Sequence, residues 1–427
     1  MKQEVLPFKV KKSSSKITPR AGLVLVDRIA KSLGVIGSLQ RLLGHLKMRN
    51  RGYRADEKVM DLVRLLVAGG KALSDLKELR ADKALMGSLN REAIMSCSTA
   101  SEFLSQFDEN DIQNLSQIVG DAASGTVLLS RRDTATMDAD ATFIQADKKN
   151  AQMSYHGETG YYPMLGFIAE TQGCLLGEFR DGNASPASGA LGFLKEMVNR
   201  LPVNIVRKRV RSDSAWFNHE VTDWCEEEGI EFAITGEMNI HMREVIRAIA
   251  EDKWEVFGEV HDEKVAESVY SFEHGSRACR VIVLREPMRQ LPLFGDEYKY
   301  RAIITNMNWE KHRLVRWHRE RATSENWIKE LKGGFGLEDL PSNKFQSNSA
   351  YMQIVMLAYN LINALKVLSL PGEYSSCTIK TLRFRLINIA GLWVKHAREF
   401  FLKIAASTRI VKLVGMILKE PFKLCRT

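Results

Sequence analysis

Long apolar runs are missing from this 427-residue chain. No stretch of about 18 uninterrupted apolar residues occurs, so a membrane-spanning helix is not expected. The opening MKQEVLPFKVKKSSSK follows its charges with no extended apolar segment and does not read as a secretory signal. Cysteine is sparse: Cys97, Cys174, Cys225, Cys279, Cys377 and Cys425 form no CxxC pair and no zinc spacing. Buried, reduced thiols in a cytosolic protein are the expected state. There is no internal repeat and no low-complexity segment beyond the first twenty residues.

What is present is ordinary in amount and uneven in distribution. With 45% hydrophobic and 26% charged residues the chain reads as globular, and its length suggests two or three domains. Residues 1–80 carry 18 Lys or Arg against 7 Asp or Glu, and residues 376–427 carry 11 against 2. Those ends hold +11 and +9 of a total of +9, which leaves −11 for the middle. Basic ends around an acidic centre suit a protein that grips a polyanion at its extremities and holds cations between them. Basic ends also occur where no nucleic acid is bound, so the pattern needs support from the motifs.

Residues 1–20 read as a flexible basic arm. Helical spacing over 21–130 fits a helical DNA-binding domain, equally a basic soluble bundle, with a Ser98 or Thr99 cap before ASEFLSQF. Near Thr134 the period shortens. TATMDADATFIQ alternates as a strand does, and YYPMLGFIAE with CLLGEFR reads as a hairpin turning at Thr171 to Gly173. A helix, the strand VNIVRKRVRSD, a helix capped by Asn218 and the strand IEFAITG complete a first core part over 131–252. A strand-rich segment follows over 253–308. The span 309–370 returns to helix and supplies the second core part, and 371–427 reads as a basic helical tail.

The acids fall at informative places. Asp138 and Asp140, two apart on a strand, point to one face. Asp213 ends the strand VNIVRKRVRSD, where it either turns toward the carboxyl edge of the sheet or caps the next helix. In WHRERATSENWIKELK, His318, Arg321, Glu325 and Lys332 stand at offsets 0, 3, 7 and 14 and so within roughly 60° on one helix face. A solvated, ion-paired face would show the same spacing. Brought together, the acids would form a cluster of hard oxygen ligands suited to magnesium or manganese rather than zinc. Two such ions about 4 Å apart serve nucleotidyl transfer, with arginine and lysine on the phosphates. His219 and His241 have no partner at metal spacing. Gly333, Gly334 and Gly336 lack the strand-to-helix context of a phosphate loop, and Trp309 and Trp317 suit core packing or stacking on an unpaired base.

The Arg321, Glu325, Lys332 spacing and the following GGFGLEDLPSNKFQSNSAYMQIVMLAYNLIN resemble the YREK signature of bacterial insertion-sequence transposases of the DDE type. His318 stands where that signature has Tyr. The resemblance implies an α/β, multidomain α+β architecture: a ribonuclease H-like mixed sheet with a β-rich insertion, between helical ends. It implies Asp140, Asp213 and Glu325 as catalytic metal ligands, since Asp140-Ala141-Thr142 matches the first-acid run better than Asp138, which remains the alternative. RSDSAWF resembles the second-acid motif. It further implies His318, Arg321 and Lys332 at DNA, two Mg2+ ions that Mn2+ could replace, and cut-and-paste transposition by cleavage at terminal inverted repeats and strand transfer. The expected partners are double-stranded DNA and a second copy in a synaptic dimer, in a bacterial cytoplasm at the nucleoid. A catalytically silent DNA-binding derivative and a metal-dependent nuclease on the same core remain alternatives.

Overall fold

The computed structural model describes residues 10–47, 52–154, 157–258, 262–275, 277–288 and 297–422. A nine-stranded mixed sheet crosses its centre, built from β1 (Thr134–Ala141), β2 (Met164–Ile168), β3 (Gly173–Glu178), β4 (Arg207–Ser212), β5 (Glu231–Gly236), β6 (Glu255–Val256), β7 (Lys264–Ser271), β8 (Ala278–Pro287) and β9 (Tyr298–Thr305). In space the order is β6-β7-β8-β9-β5-β4-β1-β2-β3. β4 runs parallel to both β1 and β5, while β2 is antiparallel to β1 and β3. The half β3-β2-β1-β4-β5 is the arrangement expected from the strand-helix order, three antiparallel strands extended by parallel crossovers. The β-rich stretch expected over 253–308 extends this sheet. β9 pairs antiparallel with β5 from Ala302↔Gly236 to Thr305↔Ala233, so β7 to β9 widen the same sheet.

Successive residues of β8 explain that continuity. Val281 and Val283 join one buried cluster and Ile282 and Leu284 another, so this strand is apolar on both faces and needs cover on each. On one face the helices Ala190–Asn199, His219–Glu227 and Ile240–Arg247 share a buried cluster with Ala135, Met137 and Ala139 of β1. On the other, helix Phe345–Ser369 and the core beneath it cover Leu165 and Phe167, and Phe167 meets Trp327 and Tyr359 with ring centroids 5.4 and 6.2 Å away.

Helix Phe345–Ser369 is long and apolar enough to cross a membrane by length and composition, yet 94% of its most apolar window is buried inside the protein. An all-round apolar helix in that position is a core element. It shares one hydrophobic core with the helices Leu23–Ser32, Val35–Leu43, Ala55–Ala68, Cys97–Leu104 and Glu109–Leu129. The N-terminal helices therefore do not form a separate core, and several of their charges point inward: Arg64 is buried between Asp27 and Asp61. Helix Cys97–Leu104 is capped one turn earlier than expected, by Ser96, whose hydroxyl accepts from the Thr99 amide at 3.1 Å.

Both ends depart from expectation. Residues 1–9 of the arm lie outside the described residues, but Ile17–Thr18 is a strand paired with Leu392 and Gly391, and the buried Thr18 hydroxyl donates to Asp82 at 2.6 Å. The tail expected to be helical contains a hairpin, β10 (Ala390–His396) and β11 (Glu399–Ala405), before a last helix, Thr408–Lys419. Trp393 opposite Leu402 and Val394 opposite Phe401 are aromatic or branched pairs that a pleated ladder stabilises, and this outweighs the helical spacing of the charges. Of the thiols, Cys174, Cys225 and Cys279 are buried as expected and Cys97 is exposed. All five described cysteines are unpaired, and Cys425 lies outside the described residues.

Candidate active site

The carboxyl ends of β1 and β4 lie side by side because the parallel register sets Asp138 opposite Arg211. Two residues on, each strand ends in an acid, Asp140 and Asp213. Asp138 is fully buried, and both its oxygens are held by the Arg211 guanidinium, Nε to Oδ1 at 2.8 Å and Nη2 to Oδ2 at 2.7 Å. Burial pushes the Asp138 carboxyl up to about 6 while Arg211 pulls it back, so the pair is ionic at neutral pH. Nη1 of the same arginine donates to the Trp317 carbonyl at 2.7 Å and to Glu320 at 3.3 Å, and its plane lies 4.9 Å from the Trp317 ring. Arg211 thus ties two strands to the segment that bears Arg321 and Glu325. Sequence reasoning did not single it out. Its signal was the Arg two residues before Asp213, but the parallel register that gives it meaning is not written in the local sequence.

Asp140 is one-fifth exposed and stands 3.5 Å from Nη1 of Arg321. Burial pushes its carboxyl up to about 6, the charges of Asp213 and Glu325 push the same way, and Arg321 opposes them. Two acids, up to 185 residues away in sequence, therefore act on Asp140 here. Asp213 directly follows β4 and caps the turn Ser214–Trp216, accepting from the Ala215 amide at 3.0 Å. Among the described residues no three His, Cys, Asp or Glu side chains form a group close enough to hold a metal ion. The acids share an electrostatic field rather than a closed ligand shell. The donor set itself, carboxylate oxygens without imidazole or thiolate, fits a hard divalent cation.

The segment from Trp317 to Lys332 is not one helix. Helix Lys311–Arg319 gives way to a 3-10 turn, Glu320–Ala322, then helix Thr323–Lys329 and a π turn, Glu330–Gly334. Arg211 takes the Trp317 carbonyl at the first break, and Gly334 lies against Ile379 at the second, where a Cβ would come within 2.9 Å of Ile379 Cγ2. Arg321, Lys332 and His318 nevertheless all reach the carboxyl ends of β1, β4 and β5 from this segment. Arg321 faces Asp140, and Glu325 is half-exposed in the first turn of its helix, 3.9 Å from Lys329. Lys332 donates from Nζ to the Phe143 carbonyl just after β1 at 2.8 Å. His318 turns inward rather than toward a DNA surface. It is buried, with Nε2 3.4 Å from both the Thr235 hydroxyl and the Ser212 carbonyl. Burial, then the nearby Arg321, Arg211 and Arg319, bring its pKa down to about 4, so it is a neutral ring wedged against the ends of β4 and β5.

Trp309 and Trp317 pack edge to face at 5.4 Å, and Arg313 lies 4.1 Å over Trp309, so both indoles are already engaged within the protein. His241 is exposed beside Glu244, and His219 lies near Phe272 and His274.

The model for the family transposase DDE domain group 1 matches residues 4–420. The chain belongs to that family and is a transposase. No curated protein matches it in sequence. Among solved structures it is similar to a piggyBac transposase, seen by cryo-EM in a synaptic complex with hairpin DNA, at 12% identity over 85% of this chain and 78% of that one, with a TM-score of 0.48.

Proposed function

We propose that this transposase moves a bacterial insertion sequence by cut-and-paste chemistry, cleaving DNA at terminal inverted repeats and joining the freed ends to target DNA. Asp140, Asp213 and Glu325 are the acids of the site, and they would hold two Mg2+ ions, or Mn2+ in their place. When bound there, such ions activate a water or a sugar hydroxyl on one side of a phosphodiester and neutralise the leaving oxygen on the other. The observation that carries the reading is the Asp140 carboxyl, raised by burial and by Asp213 and Glu325 together and answered by Arg321. Acids arranged to repel one another, with only one arginine among them, are poised for added positive charge.

The choice of Asp140 over Asp138 rests on occupancy: Arg211 already engages both oxygens of Asp138. Arg321 has the fork geometry to hold a phosphate once the acids are neutralised. Lys332, tethered to Phe143, supports the site from the end of β1 and has further protons to offer a phosphate. His318, neutral and enclosed, orients the helix against β4 and β5 rather than touching DNA. Two copies would pair two element ends in a synaptic dimer, in the bacterial cytoplasm at the nucleoid.

The test is a supercoiled-plasmid assay with a donor end and magnesium. Joined product is expected. Nicking without joining would assign the chain to a nuclease on the same core, and a mobility shift without cleavage to a silent DNA-binding derivative.

A further inference from the structure

The hairpin β10-β11 is a two-stranded ribbon paired along its whole length, from Ala390↔Ala405 to His396↔Glu399. Its base is pinned. Ile17–Thr18 pairs with Leu392 and Gly391, and the Trp393 indole lies so close over Gly87 that a Cβ there would meet Nε1 at 2.5 Å. From Lys395 to Phe401 every residue is exposed. The tip is a two-residue turn in which Ala397 and Arg398 both take positive φ, 47° and 74°, the mirror-image turn that matches the twist of a tight hairpin. Neither residue is glycine, so the turn is a strained one that keeps a long cationic side chain at the apex.

The charges on this ribbon are nearly of one sign. Lys395, Arg398 and Lys403 are set against Glu399 alone, and Lys16 leads into the strand that pairs at the base. Between the cations lie exposed apolar side chains: Phe400 and Phe401 are 58% and 42% exposed and Ile17 is 50% exposed. Phe400 stacks on Trp393 with centroids 5.2 Å apart and planes 7° from parallel, with Lys395 5.4 Å above it, so the aromatic is held out in a fixed pose. Strand alternation puts Lys395 and Phe400 on one face and Val394, Phe401 and Lys403 on the other. The same pairing brings the basic N-terminal segment and the basic C-terminal region, far apart in the chain, to one place.

We propose that this ribbon seats in the major groove of duplex DNA, with Lys395, Arg398 and Lys403 on the phosphates of the groove walls and the face that bears Phe400 toward the base edges. The proposal rests on DNA being the substrate, as argued above, and names the element that grips it away from the acids. A major groove about 12 Å wide admits a two-stranded ribbon, whose strands lie about 4.8 Å apart with side chains to either side. Charge complementarity favours this occupant over a second copy of the chain, which would have to bury the same cations against its own.

The full chain and its triple variant Lys395→Ala/Arg398→Ala/Lys403→Ala are titrated with a duplex of about 30 base pairs, by fluorescence anisotropy, at salt concentrations from about 50 to 200 mM. Losing three phosphate contacts should make the slope of log K against log salt shallower by about 2 to 3 and weaken binding at low salt by roughly tenfold or more, with an unchanged melting temperature. Protection of guanine N7 from methylation by the wild type, lost in the variant, is the second expected readout. Equal slopes and equal affinities for the two proteins overturn the proposal. So does a double variant Phe400→Ser/Phe401→Ser that converts a dimer to a monomer in sedimentation with unaltered DNA affinity, since the face would then belong to a second copy. A wild type that binds no duplex at all overturns the DNA reading itself, a result distinguishable from failure of the ribbon alone.

Discussion

Asp140 ionises against its surroundings, because burial and two other carboxylates oppose the charge more than Arg321 and the Ala141 amide support it. An ordinary aspartate releases its proton near pH 3.9 and this one near 6. The folded chain therefore holds that proton more tightly than the unfolded chain does, and stability is lost as pH rises from about 4 to about 6. The loss is on the order of 2 to 3 kcal/mol. In metal-free buffer Asp140→Asn should melt above the wild type at pH 7.5 and level with it at pH 4, read by calorimetry. Magnesium should raise the wild-type melting temperature at pH 7.5 and leave that of the variant in place. A wild type that outlasts the variant without metal at pH 7.5 would mean that Asp140 is a structural ion-pair partner. Arg211 is the opposite case, a cation whose loss strands a buried acid. Arg211→Met should lower unfolding stability in urea by about 3 to 5 kcal/mol, and adding Asp138→Leu should restore much of it. No recovery in the double variant would place the loss outside the pair.

At the scale of elements, the outer edge of the sheet is closed by side chains instead of another strand. Asn360 of helix Phe345–Ser369 accepts from the Cys174 amide at 2.8 Å and donates to the carbonyls of Cys174 and Val119 at 2.8 and 3.0 Å, while Gln353 donates to the Gly177 carbonyl at 2.8 Å. Asn360→Leu leaves those buried backbone groups of β3 unpaired and should cost about 2 to 4 kcal/mol in urea denaturation. A loss under about 0.5 kcal/mol would show that the edge is not held this way.

The same scale shows what could be read from residue order. Strands β1 to β5 and their helices were legible because alternation and helical spacing are sharp there, and Asn218 caps its helix as its place in the sequence suggests. The C-terminal hairpin was not, since its turn residues Ala397 and Arg398 carry no glycine or asparagine to mark it. For the site, parity along β1 put Asp138 and Asp140 on one face but could not separate them. Only the register with β4, which gives Arg211 to Asp138, does so. The single face expected for His318, Arg321, Glu325 and Lys332 assumed a uniform α-helix, whereas the run passes through a 3-10 turn and a π turn, next to Arg211 and Ile379, which are remote in sequence.

Across the whole molecule, charge is separated as the sequence suggested, and folding adds something the linear count could not give. The two basic ends meet at the strand pair Ile17–Thr18 with Leu392 and Gly391, whereas Asp140 and Asp213 stand at the carboxyl ends of β1 and β4, where the charge of Glu325 also reaches Asp140. A polyanion held at the first place and a divalent cation at the second would be parts of one reaction. The measurement that tests this most directly compares wild type with Glu325→Gln in magnesium-dependent strand transfer from a donor end, alongside the affinity of each for that end. The account predicts that joined product disappears while end binding stays within a few-fold, because Glu325 acts in the site and the basic surfaces supply the grip. Strand transfer that survives in Glu325→Gln would contradict it.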